Sequence, residues 1–250
     1  MTKLRVLDLF SGVGMFSLGL EATGRFKTVA FCEVEEYPRA VLAKHWPKVK
    51  CYDDVRTLTA AALARDRIAV DVICGGFPCQ DLSRAGTGAG IAGERSGLWK
   101  HFARLIGELR PRYAIMENVA ALLDDGMGVV LGDLADLRYD AEWSTVSACA
   151  LGAPHMRQRV FIVAYPDSQH GRPRVRHTAS RAKRALQKVY DLEGARARQR
   201  TRLANPSELY RGADGVANGM DRNHAIGNGL YWPIPELIGK AILKAEGMTI

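Results

Sequence analysis

A chain of 250 residues makes one large domain, or one domain with a small appendage, and can bury a substantial core without disulfide or metal staples. Its composition, 47% hydrophobic and 25% charged with 25 Gly and 10 Pro, excludes a wholly disordered or fibrous protein. The net charge of +8 sits in one place: twelve of the 35 Lys and Arg but only four of the 27 Asp and Glu fall between Pro166 and Gly212, leaving 23 of each sign elsewhere. Such a segment suits a polyanion such as nucleic acid, or else forms a solvated basic face. No uncharged apolar run approaches the roughly 18 residues of a membrane span, and the start, MTKLRVLDLF, lacks the pattern of a signal peptide. The expectation is a cytoplasmic protein with no membrane association. Cys32, Cys51, Cys74, Cys79 and Cys149 are scattered, with no CxxC and no His near Cys74 or Cys79 to complete a zinc site, so reduced thiols and no metal are expected.

Taken in chain order, RVLDLF (5–10) is a short apolar strand that turns through Ser11 to Gly14 into a helix reaching about Thr23. TVAFCE (28–33) reads as a second strand, with a helix after it that ends near Trp46 and Pro47. VDVICG (70–75) is a third, followed by a Gly-rich loop to about Gly97 and a helix ending before Pro111. YAIMEN (113–118) is another strand, followed by a helical stretch to about Arg138. STVSACA (144–150) and RVFIVAY (159–165) make a final pair of strands. This alternation predicts an α/β fold, a doubly wound and mainly parallel sheet covered on both faces. The rhythm breaks after Tyr165. Pro166 to Thr178 is a polar loop, then Ala182, Ala185, Leu186, Val189 and Leu192 fall at helical spacing, with Arg181, Lys183, Arg184 and Lys188 turned elsewhere. A last apolar helix over 235–245 is expected to return and pack near the first strand.

Four strand ends carry chemistry. The first is Asp8-Leu9-Phe10-Ser11-Gly12-Val13-Gly14, where a Gly-x-Gly turn between strand and helix lets backbone approach a nucleotide-like ligand. Glu33 ends the next strand, where a carboxylate would accept hydrogen bonds from ribose hydroxyls. Dinucleotides and S-adenosylmethionine both fit this pattern, although Ser17 replaces the third glycine of the dinucleotide version. The second strand end is Gly75-Gly76-Phe77-Pro78-Cys79-Gln80, facing the same crevice. A thiol there is either a small packed residue or a nucleophile, and the second role needs help to form the thiolate. Glu117, in Met116-Glu117-Asn118-Val119, lies within reach of Cys79 and could hold a proton near neutrality, or simply cap a helix. Alternation sends Arg157 and Arg159 to one side of the last strand, where they could hold a carbonyl or phosphate oxygen.

The order DLFSGVG, FCEVEEY, GGFPCQDLS, GERSGLW, MENV, RQRVFIV and AIGNG resembles the DNA cytosine-5 methyltransferase family, over Arg5 to Tyr165 and again from about Asp221. The resemblance implies a Rossmann-like methyltransferase sheet with S-adenosylmethionine as cofactor. Phe10, Gly12, Gly14, Glu33, Pro78 and Leu98 would line the cofactor site, with Asp54 near the adenine amino group and Asn228 touching both cofactor pocket and catalytic loop. It further implies Cys79 as the nucleophile, Glu117 on cytosine N3, Arg159 on O2, Arg157 in support and Ser83 in a mobile loop. Residues 1–165 and 213–250 would form the catalytic domain, and 166–212 a short basic target-recognition lobe facing it across a cleft. The family normally places a larger recognition region there; within the short one here Arg172, Arg174 and Arg176, spaced two apart in a loop, with Arg181 and Arg184, are the expected DNA contacts.

The expected activity is methylation of C5 of a flipped-out cytosine in double-stranded DNA, within a short recognition sequence. A restriction-modification setting of bacterial or phage origin would suit it. The protein is expected to be a monomer, with an accessory specificity subunit possible. The same chemistry on tRNA and an inactive methyltransferase-like DNA-binding protein are the alternatives. All four of Cys79, Glu117, Arg157 and Arg159 are present, which disfavours the inactive protein. A nicotinamide-dependent oxidoreductase leaves the Pro-Cys-Gln and Glu-Asn-Val pair unaccounted for.

Overall fold

The structure is a computed structural model, and it describes residues 2–78, 96–151, 158–167 and 230–248. Seven strands form one sheet in the order β3-β2-β1-β4-β5-β7-β6. They are β1 (Leu4–Leu9), β2 (Phe26–Cys32), β3 (Lys50–Tyr52), β4 (Val72–Gly76), β5 (Tyr113–Val119), β6 (Tyr139–Ser147) and β7 (Gln158–Pro166). β3, β2, β1, β4 and β5 are mutually parallel. β7 enters antiparallel between β5 and β6. The helices are α1 (Met15–Ala22), α2 (Glu36–His45), α3 (Ala60–Arg65), α4 (Trp99–Leu109), α5 (Met127–Asp136) and α6 (Pro233–Ala245).

Period-two alternation divides the core between the two faces of the sheet. Leu7, Leu9, Ile73, Ala114, Met116 and Ile162 pack on one face with Leu63 of α3, Phe102 and Ile106 of α4 and Val130 and Leu134 of α5. Val6, Val72, Ile115 and Phe161 turn to the other, against Phe16 and Leu20 of α1 and Ile234, Ile238 and Ile242 of α6. The last helix therefore does return to the first strand. Small residues permit its approach: a Cβ on Gly19 of α1 would stand 2.2 Å from the carbonyl oxygen of Trp232. Glu246, just past α6, accepts hydrogen bonds from the Tyr113 hydroxyl at 2.6 Å and from Arg112 at 2.5 Å, fastening the helix to the start of β5.

Three expectations need correction. β3 and α3 have no counterpart in the reading of the chain, because a three-residue strand and a six-residue helix are too short to show a period. The strand expected over 144–150 is instead β6, which ends at Ser147, and a 3-10 turn occupies Ala148–Leu151. β6 is an edge strand, half exposed along most of its length after the buried Tyr139, so its sequence shows little apolar alternation to mark where it begins. The helix expected after β5 is split: a 3-10 turn (Ala120–Leu123) precedes α5, which begins after Gly126 at φ 115°. Among the described residues no helix is long and apolar enough to cross a membrane.

Candidate active site

Sheet order reverses between β1 and β4, and ligands of such folds bind where the strands diverge at their carboxyl ends. The parallel strands deliver the expected residues to that edge in spatial sequence. β3 runs into Asp54, β2 into Glu33, β1 into the turn from Phe10 to Gly14, β4 into Phe77 and Pro78, and β5 carries Glu117. Register keeps them level, pairing Leu9 with Gly75, Gly76 with Glu117 and Val119 with Arg159.

The first turn is tightly specified. Phe10, Gly12 and Gly14 have φ of 51°, 51° and 84°, a region that disfavours side chains, so Phe10 holds a strained backbone. Ser11 stitches the turn to both strands, its hydroxyl donating to the Asp8 carbonyl at 2.6 Å and accepting from the Cys32 amide at 3.2 Å. Among the described residues nothing stands within 4 Å of where a Cβ on Gly12 would lie, so they leave that side of the turn open. Its amide donates to Oε2 of Glu33 at 2.7 Å, and the Glu35 amide donates to Oε1 at 2.9 Å. Glu33 is thus buried and aimed at the turn, with lone pairs left over for a ligand. Gly14 also serves packing, since a Cβ there would lie 2.7 Å from the Trp46 ring.

Beneath the turn lies Asp8, which the motif contains but to which the sequence reading assigned no role. It is 1% exposed, and its Oδ2 accepts from the Ser17 hydroxyl at 2.7 Å and the Ser17 amide at 3.3 Å. Burial pushes its carboxyl up to about 7, with the Ser17 hydrogen bonds opposing the rise.

Asp54 is the second residue of the loop after β3. A hydrogen-bonded ion pair with Arg56, at 2.6 Å, holds its carboxyl below the ordinary range. Leu98 is the N-cap residue of α4 and packs on the core cluster beneath the site. His101, one turn further along α4, is pushed toward its neutral form by burial and by the cations of Arg104 and Lys100.

At the end of β5, Glu117 and Arg159 share one face of the sheet and form an ion pair with Arg159 Nε 2.9 Å from Glu117 Oε1. Both are largely shielded from water, at 14% and 21% side-chain exposure, which strengthens the pairing. A Cβ on Gly76 would stand 2.7 Å from Glu117 Oε2, so this glycine makes room for the carboxylate. Phe77 packs its ring 5.2 Å from that of Trp99, anchoring the segment that leads to Cys79. Asn118 has a role the sequence reading did not assign. Its amide nitrogen donates to the Phe77 carbonyl at 3.1 Å while its side-chain oxygen accepts from Val119 at 2.8 Å, tying the β4 loop to β5. The available signal was a short amide side chain at a strand end, where such residues bond neighbouring backbone.

The structure therefore brings Phe10, Gly12, Gly14, Glu33, Asp54, Pro78, Leu98, Glu117 and Arg159 to one edge of the sheet or the helix cap beside it. Cys79, Ser83, Arg157, Arg172, Arg174, Arg176, Arg181, Arg184 and Asn228 lie outside the described residues.

Type II methyltransferase M2.BsuMI of Bacillus subtilis (strain 168) is 38% identical over 169 residues, covering 64% of this chain and 42% of that protein. Type II methyltransferase M.HgiBI of Herpetosiphon aurantiacus is 34% identical over 167 residues, covering 65% and 37%. The chain thus spans about two fifths of the length of these curated relatives. The fold is that of the Entamoeba histolytica methyltransferase EhMeth, at a TM-score of 0.68 and 12% identity, covering 98% of this chain and 99% of that one. The model of the C-5 cytosine-specific DNA methylase family matches residues 4–228, a stretch that takes in the glycine turn, Glu33, Glu117 and Arg159 alike. The glycine turn and the carboxylate and guanidinium paired beside the segment leading to Cys79 all fall inside the matched stretch, which covers most of the sequence, and the chain belongs to the C-5 cytosine-specific DNA methylases.

Proposed function

We propose that this chain transfers a methyl group from S-adenosylmethionine to C5 of a cytosine flipped out of duplex DNA. The observation that carries the reading is the shielded Glu117–Arg159 pair, two residues of opposite charge held at the strand edge where Phe77 and Pro78 lead into Cys79. The first turn fits the cofactor: the open side of Gly12 lets a ligand approach backbone, Glu33 faces it with spare lone pairs, and Asp54 can accept from an amino group. Phe10, Gly12, Gly14, Glu33, Asp54, Pro78, Leu98 and Asn228 would hold it. When bound, it supplies an electrophilic sulfonium methyl.

C5 of cytosine is too weak a nucleophile to react unaided. In this reading the Cys79 thiolate adds to C6, and the negative charge that develops is taken up at N3, where Glu117, having first taken up a proton, donates that proton or a hydrogen bond. Arg159 holds O2 and, through its ion pair, the orientation of Glu117. C5 would then take the methyl, leaving S-adenosylhomocysteine, and lose its proton to a base, and elimination of Cys79 as thiolate, with the N3 proton returned to Glu117, restores the ring. A stacked base offers neither face to Cys79, so the nucleotide must be extruded. Arg157 supports the pocket, and Ser83 lies in the loop that follows Cys79.

Residues 166–212 serve as the recognition segment, with Arg172, Arg174, Arg176, Arg181 and Arg184 contacting DNA, chiefly phosphate. Because that segment is short, an accessory subunit would complete the specificity of an otherwise monomeric enzyme. Action in the cytoplasm, in a restriction-modification setting, follows from the same reading. The test is radiolabelled methyl transfer by wild type and Cys79→Ala, with mixed-sequence duplex DNA and total tRNA offered in parallel and bisulfite sequencing of labelled DNA. Label on DNA that Cys79→Ala abolishes is the expected result. Label on tRNA alone moves the function to RNA, and label on neither, with cofactor still bound, overturns it.

A further inference from the structure

Leu98, His101, Arg104 and Glu108 recur at helical spacing along one side of α4 and its cap. The Arg104 guanidinium donates through Nη2 to the carbonyl oxygens of Val55, at 3.0 Å, and Leu58, at 2.8 Å. Through Nη1 it pairs with Glu108 at 2.6 Å, and Glu108 in turn accepts from the amide of Ala60, the first residue of α3, at 2.8 Å. These contacts fall on the segment between β3 and α3, which contains Asp54, and on the first residue of α3. That segment has no regular structure of its own. It is a turn closed by the amides of Thr57 and Leu58 on the Asp54 carbonyl, at 3.2 and 3.1 Å, with Val55 and Leu58 buried under it. The Asp54 carboxylate itself meets only its near neighbour Arg56, an exposed side chain, among the hydrogen bonds of the described residues. Its position is therefore inherited from the backbone of the turn, and α4 is what grips that backbone.

We propose that Arg104 is a positioning residue for the adenine end of the cofactor, holding Asp54 at a set distance from Leu98. The inference rests on the reading of Asp54 and Leu98 as adenine contacts. A planar guanidinium suits this task because one rigid fork reaches two carbonyls and a carboxylate together, whereas a lysine ammonium is a single point on a flexible stem. Holding the carboxylate in place makes it select for a hydrogen-bond donor on the base. An amino group satisfies it, and a carbonyl in the same place leaves two acceptors facing each other.

The experiment measures by calorimetry the binding of S-adenosylhomocysteine and S-inosylhomocysteine to the full chain, as wild type, Arg104→Lys, Arg104→Met and Asp54→Ala. Wild type should prefer the adenosyl compound by about tenfold or more, the worth of one charged hydrogen bond. Both Arg104 variants should narrow that preference, Arg104→Met nearly to the level of Asp54→Ala, while affinity for the inosyl compound stays within about twofold. A merely structural role would lower the melting temperature, or weaken both ligands equally, without touching the ratio. If Arg104→Met is too unstable to purify, Arg104→Lys alone carries the ratio. A preference kept by the Arg104 variants but lost in Asp54→Ala overturns the positioning role and leaves Asp54 assigned. No preference in wild type, or one that survives Asp54→Ala, removes the Asp54 assignment and the proposal with it.

Discussion

Gly76 faces Glu117 across β4 and β5 with no room for a methyl group, since a Cβ would lie 2.7 Å from the carboxylate oxygen Oε2. The intruded atom is the far end of a side chain, which can swing aside with little cost to the fold. Its displacement is costly only for chemistry. Gly76→Ala should therefore fold with nearly wild-type melting temperature yet lose about 100-fold in methyl-transfer kcat, the scale expected when a catalytic group is misplaced by about 1 Å. Single-turnover kinetics alongside thermal unfolding checks this, and a variant of normal activity would show that Glu117 does not depend on that clearance.

The preceding glycine should behave in the opposite way. A Cβ on Gly75 would stand 2.2 Å from the carbonyl oxygen of Leu9, which is backbone of the paired strand β1 and cannot step aside. Gly75→Ala forces the two central strands apart and should destabilise the protein by about 3 kcal/mol, at the upper end for overpacking. Urea unfolding of Gly75→Ala and Gly76→Ala under identical conditions tests the contrast.

Arg159→Ala removes the cation beside Glu117; among the described residues Arg159 bonds Glu117 and the Gln158 carbonyl, neither of them assigned to the cofactor. Methyl transfer should fall by about 100- to 1,000-fold, as for loss of one preorganised donor. Binding of S-adenosylhomocysteine, measured by calorimetry, should be unchanged. Equal losses of binding and activity would place Arg159 in a general structural role.

Asp8 makes stability depend on pH. Burial raises its carboxyl pKa to about 7 in the folded chain, from an ordinary 3.8. Between those values the native state keeps a proton that the unfolded chain has released, so rising pH removes stability across the window and the loss is complete above the folded pKa. The contribution is on the order of 4 kcal/mol for a shift of this size. Asp8→Asn cannot ionise and should flatten this part of the profile, losing less stability than wild type between pH 4 and about 7. Denaturant titrations across that range decide it, and parallel profiles for the two proteins would mean that Asp8 is ionised throughout.

Much of the scaffold was legible because long periodic segments carry their own signal. β1, β2, β4, β5 and β7 were all located to within a few residues, and α1, α2, α4 and α6 followed from apolar spacing and from Pro and Gly boundaries. The strand-end residues were legible for a related reason. Phe10 to Gly14, Glu33 and Glu117 stand at fixed offsets from those strands, so recognising the strand places the residue at the ligand-binding edge. β3 was lost because three residues show no period, and the start of β6 because a half-exposed edge strand has little apolar contrast.

What the amino-acid order determined by itself was thus local: which segments form strands and helices, which residues end them, and the family that their succession marks. Tertiary structure alone decided how those ends meet. β7 comes back antiparallel between β5 and β6 and so puts Arg159 beside Glu117, 42 residues away in the chain. The clearance at Gly76, the reach of Asn118 to the Phe77 carbonyl and the grip of Arg104 on the turn after Asp54 all join segments separated by 41 to 49 residues or lying on neighbouring strands. Backbone propensity and hydrophobic period act over a few residues only. Contacts of that separation are set by strand order, register and packing, and leave no period in the sequence by which to read them.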